Sequence, residues 1–481
     1  MTMPMARLVA GGLVAALLGA CGDDPARPGG PATAPGGQWS EVLNWPLVAI
    51  HMMLMPDGKV LVMDDHTDGS GAVVFDPATL AVTPVPFTAA NLFCAGHGVF
   101  TDGRIFVVGG HVGAHVGINN ATIFDPSTQT WTSAAPMTYA RWYPTVTTLP
   151  DGRLLTLAGE IDCDDCNALV PEVFAPATGA WTELTGAPLD LPYYPFSFVI
   201  PDGRVLVTGS NKREIPTYAL NVATQSWTTI DPIPLHGGSA VMYAPGKIMK
   251  SGRGRDPDLP GAPSVATTYV IDMAAPTPQW RVTAAMAHPR TQHNLTLLAD
   301  GTVLALGGGV NSDVFDADAA VRQPELWDPA TERWRLMASH QQPRIYHSTA
   351  VLLPDARVLV AGGGRYGPDY LDAEFYSPPY LFKGPRPAIS SAPASVGYGA
   401  NFFVGTLDGA NIATVSLVRL GSVTHAFDAN QRFLRLTFQR TAGGLTVGTP
   451  SSANLAPPGH YMLFILDANG VPSVASIVRI Q

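Results

Sequence analysis

The sequence predicts an all-β protein: a ring of seven four-stranded sheets followed by a separate strand-rich C-terminal domain. Three observations carry this. A turn-strand-glycine signature occurs seven times, as PDGKVLVMDD from Pro56, TDGRIFVVGG from Thr101, PDGRLLTLAG from Pro150, PDGRVLVTGS from Pro201, APGKIMKSGR from Ala244, ADGTVLALGG from Ala299 and PDARVLVAGG from Pro354. Asp-Gly between apolar runs is a hairpin signal. A second signature follows most copies and ends on tryptophan: FDPSTQTW at Phe124, FAPATGAW at Phe174, NVATQSW at Asn221 and WDPATERW at Trp327. It reads as a third strand, a turn and a fourth strand. Finally, no stretch of the mature chain sustains a helical period. A repeat of about 45 to 55 residues matches a kelch-type blade, so the expected architecture is a seven-bladed kelch-type β-propeller.

The ends of the repeat suggest how the ring closes. Trp39 in QWSEVL stands where a fourth strand belongs, yet no first three strands precede it. The seventh copy has three strands and leaves through FYSPPY at Phe375. The N-terminal segment is therefore expected to complete the last blade, which removes long open sheet edges.

Residues 1–20 carry one arginine, Arg7, and then an apolar run too short to span a bilayer. They read as an export signal. The run ends in Leu18-Gly-Ala-Cys21, which resembles the lipobox of bacterial lipoproteins and marks Cys21 for lipidation; a plain signal peptide is the alternative. Residues 21–38 read as a flexible tether. The expected domains are then the propeller at 39–376 and an immunoglobulin-like β-sandwich at 377–481, the latter from apolar runs such as Thr414 to Leu420 and Tyr461 to Leu466. With 46% apolar residues the chain can bury a large core, and its net charge of −10 makes nucleic acid or anionic lipid a poor partner. Any membrane association would come through a lipid anchor, and the chain is expected to be a monomer, exported to the cell envelope or secreted. Cys163 and Cys166, in EIDCDDCN, lack two further ligands at zinc spacing and are expected to form a short-loop disulfide, leaving Cys94 outside any such pair.

The repeat also exposes a set of reactive residues. Counting eight back from the turn aspartate gives Cys94, Tyr143, Tyr194, Gln292 and His347 in five copies, with Ala49 and Gly237 at the equivalent places in the other two. This register begins the innermost strand of each sheet, so these side chains should ring one mouth of the axial channel. Tyr346 precedes His347, and His425 lies in the C-terminal domain within GSVTHAFD. Nitrogen and oxygen donors of this kind suit Cu(II), with His425 as a fourth ligand if the C-terminal domain reaches into the channel. Singly, each residue has a structural explanation, and a non-catalytic kelch module binding a glycan or protein partner remains the alternative; His97, His288 and His293 are read as structural.

At these residues the chain resembles the copper radical oxidases, the galactose oxidase and glyoxal oxidase family. FCAG at Phe93 is similar to the segment with the cross-linking cysteine, ARWY at Ala140 to that with the radical tyrosine, RIYHS at Arg344 to that with the axial tyrosine and first histidine, and GSVTH at Gly421 to that with the last histidine. The resemblance implies a Cys94–Tyr143 thioether, copper held by Tyr143, Tyr346, His347 and His425, and catalysis by Tyr143, Cys94 and Tyr346. It implies oxidation of an aldehyde or primary alcohol by dioxygen, with hydrogen peroxide as co-product. Two departures bear on substrate. The segment expected to supply a stacking tryptophan reads AGEIDC, which assigns the shielding of the radical to Trp142, and no sugar-binding arginine appears in Leu184 to Tyr194. A small aldehyde or alcohol is therefore expected rather than galactose, with Trp142, Tyr194 and Gln292 as pocket candidates; for Tyr194 wall packing is an equal reading.

Overall fold

A computed structural model describes residues 34–64, 71–254, 261–365 and 367–481. The expected signal segment, the lipidation site Cys21 and most of the tether lie outside the described residues. Among those described, the only helices are two short 3-10 turns, at Pro379–Phe382 and Gly409–Asn411.

Each of the seven turn motifs joins the first and second strands of an antiparallel sheet, for example His51–Leu54 with Val60–Met63 and Ser348–Leu352 with Val358–Gly362. In six copies the turn aspartate accepts the backbone N–H two residues on, as Asp57 does from Lys59 at 3.1 Å and Asp355 from Arg357 at 3.0 Å. The next position needs positive φ, which glycine adopts without strain. The seventh copy puts Ala356 there, at φ 66°.

The innermost strands lie side by side around an axis, from Gly96–Val99 through Thr145–Thr148, Pro195–Val199, Ser239–Ala244 and Asn294–Leu297 to Ser348–Leu352 and His51–Leu54. Tryptophans on the fourth strands tie consecutive sheets together. The indole N–H of Trp131 donates to the Val85 carbonyl (2.8 Å), Trp181 to Ala135 (2.7 Å) and Trp227 to Ala187 (3.0 Å). Trp39 follows the same rule toward Ala338 (2.7 Å), and Gln38–Trp39 pairs with the strand Asp372–Ser377. The N-terminal segment thus completes the sheet that the chain enters last.

A second repeated device was not read from the sequence. Arg141, Arg290 and Arg344 are fully buried, and each meets a buried glutamate on the third strand of its sheet: Glu172 at 2.8 Å, Glu325 at 3.1 Å and Glu374 at 2.8 Å. The guanidinium also donates to backbone carbonyls, Ala158 and Val170 in the first case. The glutamate accepts N–H groups of the incoming loop, such as Thr138 and Gln341. The arginine carbonyl then packs under the glycine that ends the previous sheet's second strand; a Cβ at Gly109 or Gly307 would collide with it.

C-terminal to the ring, a five-stranded and a three-stranded sheet enclose a core that includes Val415, Leu463, Ile465 and Val478 from the first and Val404, Leu445 and Val447 from the second. One hairpin leaves this domain. Its strands, Ser422–Thr424 and Phe427–Asp428, extend the first sheet inward from His51–Leu54 and touch the inner strands of the second, fifth, sixth and seventh sheets. It runs down the axis of the ring.

Breaking one buried arginine–glutamate pair leaves an uncompensated charge. Arg290→Met should cost about 3–5 kcal/mol, read as a lowered thermal midpoint, and Arg290→Met with Glu325→Leu should recover much of the loss.

Candidate metal centre

The side chains at the repeat register share an unusual backbone. Cys94 (φ 60°), Tyr143 (64°), Tyr194 (48°), Gln292 (53°) and His347 (67°) all occupy the left-handed region. Non-glycine residues rarely sit there and do so at a cost of about 1–2 kcal/mol each. The conformation reverses the chain at the mouth of each inner strand, where the buried arginine lies two residues earlier (Arg141, Arg290) or three (Arg344). The extra residue in the seventh copy is what presents Tyr346 as well as His347. Backbone bonds tie the register residues of consecutive sheets in series: Tyr143 N–H donates to Cys94 O (2.9 Å) and Tyr194 N–H to Tyr143 O (2.8 Å).

The side chains converge. The hydroxyls of Tyr143 and Tyr346 are 2.9 Å apart. Ring centroids separate by 3.9 Å for Tyr346 and His347, 4.7 Å for Tyr143 and His425, and 4.8 Å for His347 and His425. Cys94 Sγ is 3.9 Å from His425 Nε2. His425 arrives on the tip of the axial hairpin. His425 and Ala426 are its two turn residues, both at positive φ (47° and 67°), as a tight two-residue turn requires.

Tautomers follow from fixed partners. His347 Nδ1 donates to the Gly364 carbonyl (2.7 Å), so its lone pair is on Nε2. Thr424 Oγ1 donates its hydrogen to the Ile50 carbonyl (3.0 Å) and must therefore accept from His425 Nδ1 (2.6 Å), which puts the lone pair of His425 on Nε2 too. Outer hydrogen bonds that leave Nε2 as the donor atom are how proteins hold ligating histidines. Burial holds His425 well below the usual histidine range, helped by His347, and holds Tyr143 well above the usual phenol range, helped by Cys94 and Tyr346. Both are thus neutral without a metal; a dication here would reverse that preference for the phenol. Two imidazole nitrogens and two phenol oxygens form a donor set that fits copper(II).

A cavity of about 490 Å³ opens onto this cluster. The buried groups Tyr143, Tyr346 and His347 line its inner end, and Phe93, Trp142, Tyr193 and Phe315 contribute its aromatic walls. Trp142 lies flat on Tyr143, with centroids 4.1 Å apart and planes at 14°.

The other pocket candidates are not in the lining. Tyr194 stacks on Tyr143 at 4.7 Å, and its hydroxyl donates to the Ala95 carbonyl, so it packs behind the cavity. Gln292 hydrogen-bonds Asn211, whose amide donates to the His425 carbonyl (2.7 Å), so Gln292 braces the hairpin. Cys163 and Cys166 are joined as a disulfide. His97 bonds Ser422 and His293 bonds Ser251, both buried, and His288 lies near Gln323. Two groups escaped the sequence reading. His51 Nε2 accepts the Cys94 N–H at 3.2 Å, and Tyr193 meets the Tyr143 ring edge-on at 4.9 Å. His51 lies off the counted register, though Tyr193 could have been noticed from its adjacency to Tyr194.

Comparison with known proteins agrees with this geometry. Residues 386–480 match the family model described as galactose oxidase-like, Early set domain; residues 259–377 match Glyoxal oxidase N-terminus; and residues 94–138 match the Kelch motif. A galactose oxidase of Gibberella zeae is 28% identical over 93% of this chain and 71% of its own length. The aldehyde oxidase GLOX of Vitis pseudoreticulata is 27% identical over 89% of each chain. A solved fungal alcohol oxidase in complex with copper superposes with a TM-score of 0.83 at 26% identity, over 93% of this chain and all of the other. By these matches the chain is similar to the copper radical oxidases, the galactose oxidase and glyoxal oxidase family.

Thr424→Val removes the acceptor that orients His425. Copper affinity should fall about 10–100-fold, measured by competition with a chelator of known affinity.

Proposed function

We propose that this copper radical oxidase converts small aldehydes, as their hydrates, or primary alcohols, with dioxygen as acceptor and hydrogen peroxide as co-product, and that glyoxal oxidase is its nearest functional counterpart. In this reading residues 39–376 are a seven-bladed kelch propeller, residues 377–481 an immunoglobulin-like cap, and the protein acts as a monomer. Residues 1–20 direct export, with a lipid anchor on Cys21. The observation that carries the reading is the buried contact between the Tyr143 and Tyr346 hydroxyls, with His347, His425 and the Cys94 thiol gathered around it.

The residues divide the work. Tyr143, Tyr346, His347 and His425 hold the metal. Copper, when bound, supplies a one-electron couple and Lewis acidity toward a hydroxyl. Tyr346 accepts the hydroxyl proton as general base. Tyr143 carries the second oxidising equivalent and takes a hydrogen atom from the substrate carbon. A thioether between Cys94 Sγ and the Tyr143 ring delocalises the unpaired electron and lowers the cost of forming it. Trp142, flat on that ring, keeps water from it, and His51 fixes the Cys94 backbone so that the sulfur faces the phenol. Overall, RCH2OH and O2 give RCHO and H2O2, and a hydrated aldehyde gives the acid by the same two-electron loss.

After copper loading in air, tryptic mass spectrometry should find the Cys94 and Tyr143 peptides joined, lighter than their sum by two hydrogens, and Cys94→Ser should leave them separate. Peroxide release should be detectable with at least one of glyoxal, methylglyoxal, glycolaldehyde and glycerol. Separate, unmodified peptides together with silence on all four would overturn the assignment.

A further inference from the structure

The cavity has a charged outer end that the chemistry above does not use. Lys212 and Asp164 line it, with His115. The Lys212 ammonium has three N–H groups, and all three are committed: to Glu160 Oε1 at 2.9 Å, Asp164 Oδ1 at 3.1 Å and Asp165 Oδ1 at 2.8 Å. Its side chain is 5% exposed, whereas Asp164 and Asp165 are 68% and 51% exposed. Burial pulls the lysine toward its neutral form, but the surrounding carboxylates outweigh that and keep it charged. His115 Nδ1 bonds the other Glu160 oxygen at 2.7 Å. Glu160, Asp164 and His115 group like metal ligands, but the lysine ammonium already sits between the two carboxylates.

The cluster is locked to the reacting end. Glu160 exchanges both backbone hydrogen bonds with Trp142, at 2.8 Å each way. The Cys163–Cys166 disulfide closes the loop that carries Asp164 and Asp165. Lys212 Nζ lies 4.3 Å from the Tyr193 ring centroid, and the His115 ring is 4.7 Å from that of Trp142. Three carboxylates surround the one lysine ammonium at this end, so acidic groups outnumber the lysine by two. Among the described residues, Lys212 is also the only permanent cation in the lining. Its donors are spent, so it offers nothing to an anion, while the exposed aspartates still have lone pairs to offer a donor.

We infer that this cluster sets the substrate class: alcohols or aldehydes whose far end carries an ammonium group are favoured, hydroxylated ones are accepted, and those ending in carboxylate or phosphate are rejected. The inference rests on the oxidase reading for which end of the substrate reacts. The charge preference itself can be measured without turnover.

Calorimetry on the copper-free protein, with n-butylammonium, butanol and butanoate as probes, should rank them in that order. The cation should bind at least about tenfold tighter than the anion at low salt, narrowing as salt screens the exposed aspartates. With copper, kcat/KM for 4-aminobutanol, 1,4-butanediol and 4-hydroxybutanoate should follow the same order. Asp164→Asn with Asp165→Asn should bring the cation-to-anion ratio toward one, and Lys212→Met should raise it. Equal binding of cation and anion, or a ratio unmoved by the double asparagine variant, would overturn the inference. Absence of peroxide from all three alcohols would count against the oxidase reading instead, and the binding ratio would still decide this one.

Discussion

The direction in which the functional side chains point is decided by buried guanidinium–carboxylate pairs some distance from the chemistry. Arg141 and Arg344 each cross-brace the loop that enters an inner strand, binding the carboxylate of a third-strand glutamate and the carbonyls of neighbouring turns. Within three residues the chain must reverse with a left-handed residue, Tyr143 or His347. That conformation costs about 1–2 kcal/mol at every such position and persists only because the loop on one side and the strand on the other are over-determined. An ion pair with no solvent access tolerates little displacement, since moving either partner strands the other in low dielectric. The phenol and imidazole thereby inherit the rigidity of the pair behind them.

The axial hairpin solves a different problem. A ring of sheets brings its inner-strand ends together only around a circle, and side chains from Cys94, Tyr143 and His347 approach from one arc of it. His425 comes from inside the circle, on a turn whose two residues both have positive φ and neither of which is glycine. Asn211, Ser239 and Thr424 hold that turn through the carbonyls of His425 and Ala426 and the His425 ring. Two elements outside the hairpin, through Asn211 and Ser239, and the hairpin's own Thr424 thus oppose the relaxation of a strained tip, which keeps the imidazole in the channel.

What could be read in the sequence was whatever repeated. The Asp-Gly turns recur, so counting back from them found Cys94, Tyr143 and His347 without any contact information. The tryptophan signature recurs, so Trp39 could be assigned to the last sheet from its isolation. The arginine two or three residues before the register also recurs, but its glutamate partner lies about thirty residues on, in a strand where a lone acid looks like a solvent-facing residue. Pocket membership was harder. Tyr194 and Gln292 share the register of Tyr143, yet one side chain packs behind that ring and the other turns to Asn211, because register fixes where a residue starts and not which neighbour it finds. Asp164 was invisible for the same reason: it reaches the cavity through a disulfide-closed loop that follows no repeat, meeting a lysine from the next sheet.

This division of labour explains why a centre of this kind can sit in a deeply buried channel at all. Burial keeps the Tyr143 phenol protonated and the His425 imidazole neutral until a metal arrives, so the ring can fold around these two groups without the cost of burying them as ions. Its charged groups are instead kept one aromatic layer away, beyond Trp142 and Tyr193, where solvent reaches Asp164 and Asp165. The candidate ligands nevertheless come from the third sheet, the seventh sheet and the C-terminal hairpin. They meet only when Gln38–Trp39 has closed the last sheet and Ser422–Asp428 has entered the axis. Metal binding at this candidate centre would therefore sense the completed ring: a copper ion held by Tyr143, His347 and His425 at once would clamp together three parts of the chain whose only other link is the fold itself, and would stabilise that fold in proportion to its affinity.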